Sequence, residues 1–502
     1  MRERPDKPAG ERELDALLQS SLPELPPNAV ARAVTPCTRA MDRVLIGLAL
    51  RTLTLNFLCL NYILPAVGFV LSLLGLRTLR RENRWFAGFY GLTIAQFVLF
   101  AAAFVLQATI WQDVLSALPL YALLQGPGLP ATLLQLLCLR QGLAAVQRKA
   151  GLPVQTGSAT VLLVWYAGML LLALAQYQGL VLGLALVLCY ILILRSLLRL
   201  SHALDEAGYV IRAAPVRIPD KALACGLAAA LVLGAGAGYL FGNSYPMDWA
   251  PRPAPGAEAE AVRAGLLALG CPDYVLDDLT EADLLACRGA LRVVVDVSEE
   301  VMHDDSLVMH VSGAERAEPV RELRITGVAV ELPGAREQWK IIHHFQWLAD
   351  PGFYGTESIQ LWPAYRLAEG WAAAGEATGQ VLYDRGGTVW AAPYYSLGAQ
   401  TYTSDSLFWG EQTSTDLFAA FSLPRGGENQ RGYVSYTVAE CADGWILNSW
   451  VNYTHQLTWL QYPVRTAMAQ RMEGGWNRAG AFLTVQDALQ FDPADPDARP
   501  FS

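Results

Sequence analysis

The first half of the chain is a series of long apolar segments separated by short polar loops. A helix of about 20 apolar residues is needed to cross the roughly 30 Å hydrocarbon core of a bilayer. Residues 43–242 hold about six such segments, which predicts a multi-pass membrane domain. Its spans are expected at 44–79, 85–111, 114–143, 159–176, 180–198 and 222–241. The third span is broken near 125–130, where Pro127 and Pro130 interrupt a helix.

The first apolar region, 44–79, fits three arrangements. Residues 58–79 can cross the membrane once, which puts the N-terminus outside. Alternatively, 44–57 and 61–79 can form a hairpin, or 40–56 can lie along the membrane surface with Arg43 and Arg51 on its polar side. The polar segment 1–42 is long, charged and lacks a cleavable signal peptide. We therefore expect it to be cytoplasmic.

Positive charge is concentrated in alternate loops, and basic loops stay in the cytoplasm. Of the fourteen arginines and lysines in residues 43–242, ten lie in the loops expected inside, namely Arg77, Arg80, Arg81, Arg84, Arg148, Arg199, Arg212, Arg217, Lys149 and Lys221. The other loops contain Asp113 and the short turn 177–179. This pattern predicts a plasma-membrane protein, with the lipid bilayer as its first partner and residues 243–502 extracytoplasmic.

The centres of the predicted spans contain no Asp, Glu, His or Lys. Coupled transporters usually carry such groups at membrane depth, so their absence argues against one. Arg51, Arg140 and Arg195 lie near predicted span ends. There a long side chain is expected to reach the interface with its charged head.

The second half of the chain has a different pattern. A Pro-rich linker is expected at 243–257 and short helices at 258–290, after which apolar residues alternate with a period of two. Trp339, His343 and Trp347, for example, share one strand face. Short strands with turns such as 385–387 and 442–444 predict an all-β sandwich or jelly-roll-like domain of about ten strands over 291–502. A phase shift at Gly327 predicts a β-bulge.

Composition and charge indicate that the two halves of the chain lie in different environments. The 502 residues are 53% hydrophobic and 17% charged, and the abundance of Ala, Leu, Gly and Arg is typical of a bacterial genome. Residues 1–242 have 20 Lys and Arg against 12 Asp and Glu, whereas 243–502 have 17 against 34. The acidic second half argues against nucleic acid as a partner, because phosphate contacts need basic patches.

Searching for catalytic chemistry gives mostly negative results. The sequence has no phosphate-binding Gly-x-x-x-x-Gly-Lys, no His-Glu-x-x-His and no Gly-x-Ser-x-Gly, and we expect no cofactor. His303, Asp305 and His310 are the best candidate metal ligands, since imidazole and carboxylate suit zinc. The alternative for these three residues is a solvated acidic loop.

Cysteine chemistry leaves two alternatives open in the second half. Cys271 and Cys287 have a spacing that allows a disulfide in an extracytoplasmic domain, and two buried thiols are the other interpretation.

Aromatic residues are the most informative feature of the second half. Eleven of the fourteen Trp lie after residue 242. Exposed aromatic rings of β-sandwiches can stack on sugar rings while amides bond the hydroxyls, although large β-cores also need aromatics. Trp450, Asn452, Trp459 and Gln461 are the candidate ligand-binding residues.

Three functions therefore remain open. The first is a non-enzymatic, membrane-anchored binding domain whose partner is a cell-envelope glycan or protein. The second is a transporter or an accessory subunit of one, based on the number of spans and the break at 125–130. The third is an extracytoplasmic hydrolase that uses His303, Asp305, His310 or His343 with an acidic partner such as Glu357.

Overall fold

A computed structural model describes most of the chain. The described residues are 37–53, 59–116, 128–175, 179–206, 209, 211, 218–302, 321–366, 370–406, 410–459, 461–473 and 478–501. They fall into two compact units, one within 1–104 and 119–233 and the other within 105–118 and 234–502. We call the first the helical unit. The second contains the β domain, by which we mean residues 243–502.

The N-terminal half is helical. Its helices are α1 (Cys37–Thr52), α2 (Leu60–Leu79), α3 (Arg84–Leu106), α4 (Trp111–Ser116), α5 (Gly128–Lys149), α6 (Gly157–Leu174), α7 (Leu180–Glu206) and α8 (Asp220–Gly242). Within the described ranges, four helices are long and apolar enough to cross a membrane: α2, α3, α7 and α8. The apolar part of α6 is shorter and α5 is more polar. The count of six spans stays a prediction beyond these four.

Helices α1 and α2 pack side by side in antiparallel orientation. Glycines line their contact. A Cβ on Gly47 would lie 2.5 Å from the carbonyl oxygen of Gly68, and one on Gly75 would lie 2.4 Å from the carbonyl oxygen of Ala40. The backbones therefore approach as closely as small residues allow, as in other packed membrane helices.

The β domain consists of two antiparallel sheets. Its strands are β1 (Ala250–Pro251), β2 (Arg292–Met302), β3 (Arg321–Leu332), β4 (Gln338–Trp347), β5 (Glu357–Trp362), β6 (Trp371–Ala373), β7 (Thr378–Arg385), β8 (Thr388–Ala392), β9 (Ser396–Ser406), β10 (Gly410–Phe421), β11 (Glu428–Glu440), β12 (Leu447–Gln456), β13 (Arg478–Ala479) and β14 (Phe482–Phe491). The eight-stranded sheet has the order β1-β8-β7-β11-β4-β3-β2, with β6 also beside β11. The six-stranded sheet has the order β13-β14-β12-β5-β10-β9.

Side chains from both sheets form one hydrophobic core. Ile341 and Phe345 of the first sheet pack in the same cluster as Leu361, Phe421 and Val451 of the second. The domain is therefore a β-sandwich. The turn at 386–387 closes the β7–β8 hairpin, and its two glycines have φ of 58° and 77°. The turn at 442–444 instead connects strands that belong to different sheets.

The bulge predicted at Gly327 is wrong. Strand β3 pairs with β4 in continuous register, with Gly327 opposite His343. Gly327 instead permits a close approach of the two sheets, because a Cβ there would lie 2.9 Å from Leu489 Cβ. The apparent phase shift arises because both faces of β3 are apolar: Ile325 faces the other sheet and Val328 faces a second cluster.

The second cluster lies under three short helices, α9 (Ala257–Ala268), α10 (Asp273–Leu276) and α11 (Glu281–Ala286). They cover the outer face of the eight-stranded sheet, where Leu276 and Leu284 pack with Ile342. Polar pairs are buried beside them. Lys340 Nζ bonds Asp283 Oδ1 at 2.8 Å, and His344 Nε2 lies 2.8 Å from Asp278 Oδ2.

The positive charge of Lys340 lowers the pKa of Asp283. Burial raises the pKa of Asp283, but the Lys340 ammonium and several hydrogen bonds outweigh burial, and the pKa lies below its usual value. Asp283 is therefore a buried carboxylate at neutral pH.

Segments from outside 258–502 complete the second unit. In the expected linker 243–257, Tyr245 is 8% exposed and β1 pairs with β8, so this stretch packs on the β domain. Residues that follow α3 also belong to the second unit. Asp113 Oδ2 accepts hydrogen bonds from the Thr466 amide and hydroxyl at 3.1 and 3.0 Å, and Ile110 packs with Tyr245 and Val464.

Candidate functional site

The candidate site lies on the face of the six-stranded sheet that points away from the sandwich core. In β12, Val451 and Tyr453 point into the core, so Trp450 and Asn452 point outward. The pairing of β12 with β5 places Trp450 opposite Trp362 and Asn452 opposite Gln360. The short helix α12 (Ala467–Met472) packs across β5, β9, β10 and β12 on this sheet.

A row of amides crosses this outer face. Gln486 Nε2 donates to Asn452 Oδ1 at 3.0 Å, and Asn452 Nδ2 donates to Gln360 Oε1 at 3.3 Å. Gln360 Nε2 then donates to Asp416 Oδ2 at 2.6 Å. We call Gln486, Asn452, Gln360 and Asp416 the polar ladder. Asn452 and Gln360 are 0% and 1% exposed, so the ladder fixes neighbouring strands rather than facing solvent.

Two arginines and a tyrosine surround the end of the ladder. Arg366 Nε lies 2.8 Å from Asp416 Oδ1, and Arg471 Nε donates to Gln360 Oε1 at 2.6 Å. Tyr402 donates its hydroxyl to Asp416 Oδ2 at 2.7 Å, and burial together with that carboxylate raises the pKa of Tyr402 to about 12. Two cations against one carboxylate leave this end of the ladder positively charged.

The ladder is flanked by a pair of half-buried indoles. The rings of Trp362 and Trp450 have centroids 6.1 Å apart and are tilted by 49°. The Arg366 guanidinium lies over the Trp362 ring at 4.6 Å, a cation–π contact. The surface formed by Trp362, Trp450 and Arg366 is called the tryptophan platform below. It offers an aromatic face next to a cation that is 26% exposed.

The structure separates the four residues selected from the sequence. Trp450 belongs to the platform, whereas Asn452 is buried in the ladder. Trp459 and Gln461 follow the end of β12, and Trp459 is 65% exposed. The carbonyl of Trp459 accepts hydrogen bonds from the Tyr239 hydroxyl and from the backbone N–H of Gln461.

Sequence reasoning missed Trp362, Gln360, Asp416 and Arg366. A signal was present for two of them, because alternation in 357–362 places Gln360 and Trp362 on one strand face. Asp416 and Arg366 could not be assigned in this way, since only the pairing of β10 with β5 brings their elements together.

The residues considered for metal and thiol chemistry have different outcomes. His303, Asp305 and His310 lie outside the described residues. Across the part of the chain that the structure describes, no group of three metal-ligating side chains occurs. Cys271 and Cys287 are buried free thiols, so the disulfide is not formed, and burial raises the pKa of Cys271 to about 12.

Two of the residues considered for hydrolysis, His343 and Glu357, lie in the core. His343 is 2% exposed and its Nε2 lies 2.7 Å from Ser449 Oγ. Glu357 is 0% exposed and pairs with His455 Nδ1 at 2.7 Å rather than with His343. Burial lowers the pKa of His343 to about 3, so its imidazole is neutral at physiological pH.

Comparison with known proteins adds little to these observations. No protein-family model matches the chain, and no curated protein matches it. Among solved structures, the chain is similar to one described as a pore forming protein, with 8% sequence identity and a TM-score of 0.20. The match covers 41% of this chain and 95% of that chain. A likeness at that TM-score says nothing about fold or function.

Proposed function

We propose that this chain is a membrane-anchored, non-enzymatic binding protein of the cell envelope, whose β domain holds a glycan on the tryptophan platform. The observation that carries the proposal is the pair of half-buried indoles with Arg366 stacked on one of them. Indole faces bind the apolar face of a pyranose, and a neighbouring guanidinium bonds hydroxyl or carboxylate groups. An acidic envelope sugar fits both parts.

The rigidity of the platform supports binding. Arg366 is held by Asp416, whose side chain is 0% exposed and which also accepts from Gln360 and Tyr402. A ligand would therefore meet a guanidinium that is already oriented, so less conformational freedom is lost on binding.

The buried location of His343 and His455 supports a non-enzymatic role. A general base must reach the substrate proton within hydrogen-bonding distance. The His343–Ser449 and His455–Glu357 pairs lie between the sheets, with each side chain at most 2% exposed. They are better explained as polar contacts that fix the sandwich core.

An extracytoplasmic β domain is part of the same proposal. The basic loops support it, because they assign the loop at Asp113 and residues 243–502 to the same side. The hydrogen bonds between Asp113 and Thr466 agree with a common side for both.

The test uses the full chain in detergent micelles, because residues 105–116 are part of the second unit. Purified protein is sedimented with isolated peptidoglycan and with wall polysaccharide, and the bound fraction is measured against protein concentration. We expect saturable binding that is weakened by Trp450→Ala and by Trp362→Ala. Trp459→Ala is the matched control, since Trp459 is more exposed but lies outside the platform.

Two outcomes would contradict the proposal. Absence of saturable binding by folded, monodisperse protein would remove the envelope glycan as the ligand. Binding that is lost in Trp459→Ala but retained in the two platform variants would place the site elsewhere.

A further inference from the structure

The Arg51 guanidinium contacts α2 and α3 near the middle of both helices. Arg51, in the last turn of α1, was expected to reach the interface, but its guanidinium lies 4.0 Å from the centre of the Phe69 ring and bonds Gln96 Oε1. Phe69 and Gln96 are near the middle of α2 and α3, two of the helices able to cross a membrane. A charge at that depth is costly and usually marks a functional site.

The sequence provides no carboxylate at this level. No Asp or Glu occurs in 43–81, 83–112 or 114–204. Asp42 precedes Arg51 by nine residues, about 13 Å along a helix. Arg51 Nη1 is a buried atom that has no hydrogen-bond partner among the residues described. The guanidinium is therefore neither neutralised nor fully hydrogen-bonded by the described part of the helical unit.

The first turn of α5 lies on the other side of Gln96. Gln96 Nε2 donates to the Gly128 carbonyl at 3.2 Å and to Thr132 Oγ1 at 3.3 Å. Gly128 is the first residue of α5, so this helix begins at the level of Gln96. The N-terminal end of a helix carries partial positive charge and favours anions. The side-chain amide of Gln96 thus contacts Arg51 through its oxygen and the start of α5 through its nitrogen.

Hydroxyl groups complete the surroundings. Thr52, next to Arg51, bonds the hydroxyl of Tyr166, and Tyr190 donates to Thr52 Oγ1 at 3.1 Å. Tyr166 and Tyr190 lie on α6 and α7. Five helices therefore supply polar groups to one region of an otherwise apolar unit, which is more than the packing of membrane helices requires.

We propose that Arg51, Gln96 and the start of α5 bind a small oxyanion, a carboxylate or a phosphate, at mid-height in the helical unit. A planar guanidinium pairs with such an anion through two parallel hydrogen bonds, and Nη1 would be one of the donors. The bound anion neutralises the charge that the sequence leaves without a carboxylate. Its source is either a dissolved oxyanion or the phosphate of a phospholipid headgroup.

The test measures both sources on the purified full chain in detergent. Binding of inorganic phosphate is measured by calorimetry, with sodium chloride at equal ionic strength as the reference. Phospholipid that stays bound after extensive detergent washing is measured as organic phosphorus. The variants are Arg51→Gln and Gln96→Glu, and the control is Arg140→Gln, which removes an arginine of the same unit that bonds Thr160.

Gln96→Glu keeps the test decisive if Arg51→Gln fails to fold. The new carboxylate supplies the missing counter-ion, so this variant should be at least as heat-stable as the wild type while no longer binding an external anion. We expect binding to weaken by more than about tenfold in both variants and to be unchanged in Arg140→Gln.

Each result has a distinct meaning. Phosphate binding that is lost in the two variants identifies a dissolved oxyanion as the ligand. Retained phospholipid that is lost in the same variants, without phosphate binding, identifies a lipid headgroup. Wild-type protein that binds neither, or four proteins that bind alike, overturns the proposal. Because the probes concern the helical unit, failure here leaves glycan binding by the β domain untouched.

Discussion

Acidification should destabilise the β domain through a single buried histidine, His343. Its imidazole lies between the two sheets, 2% exposed, with Nε2 facing Ser449 Oγ at 2.7 Å. Tyr436 donates its hydroxyl to the same Ser449 oxygen at 2.6 Å. A charged imidazolium there would lack both water and a carboxylate, so burial lowers the pKa of His343 to about 3.

The size of the effect follows from proton linkage. The unfolded chain takes up a proton near pH 6.5, whereas the folded domain does so only near pH 3. Stability is therefore lost as the pH falls from 6.5 towards 3, because the unfolded state binds more protons in that window. At pH 5, the loss relative to pH 7 is about 2 kcal/mol.

Urea unfolding at pH 7 and pH 5 measures this loss. Tryptophan fluorescence reports mainly on the β domain, since eleven of the fourteen Trp lie after residue 242. His343→Gln retains a group able to bond Ser449 but cannot titrate, so its stability should fall less between the two pH values, by about 2 kcal/mol. His202→Gln, at an exposed position on α7, should behave as the wild type.

An equal pH dependence in the wild type and in His343→Gln would refute the reasoning. It would mean that His343 is protonated in the folded domain, or that other groups cause the acid sensitivity. Glu357 cannot produce the same signal, because burial raises its pKa, and such a group stabilises the fold as the pH falls.

Two further predictions concern packing. Lys340→Met leaves Asp283 buried without its cation. The free energy of unfolding of the β domain, measured in urea, should fall by about 3–5 kcal/mol. A change below about 1 kcal/mol would show that the pair is not desolvated as described. Gly47→Ala puts a methyl group 2.4 Å from Ser72 Oγ and should lower the melting temperature of the helical unit, measured by the loss of its helical circular dichroism. Gly91→Ala, whose Cβ meets nothing within 4 Å, should raise it, because Ala is favoured over Gly in helices by about 1 kcal/mol. A lower melting temperature in both variants would contradict the tight α1–α2 contact.

In the N-terminal half, the sequence was sufficient to predict the helices that are long and apolar enough to cross a membrane. Helices α2, α3 and α8 match predicted segments because a bilayer sets their minimum length. Helix α1 could not be assigned in this way, since it is only 16 residues long and contains Asp42 and Arg43. Its contact with α2 depends on glycines that face one another only after the two helices are aligned in space.

In the β domain, alternation predicted an antiparallel β-rich region but not what covers its sheets. The two-sided apolar character of β3 suggested a bulge, whereas it results from helices that cover the outer face of the sheet. For the candidate site, alternation put Trp450 and Asn452 on one face but could not show that neighbouring amides bury Asn452. Exposure at that position depends on pairing with β5 and β14, which are distant in sequence.

The contact between Asp113 and Thr466 also constrains how the protein is made. The two residues are separated by 353 positions, so the loop after α3 leaves the ribosome long before its partner exists. At about 5–20 residues per second, that interval is roughly 20–70 s. Tyr245 is synthesised within this interval, but Ile110, which is 1% exposed in the finished fold, lacks Val464 until its end. In the nascent chain the cover of this apolar side chain therefore stays incomplete until synthesis is almost finished.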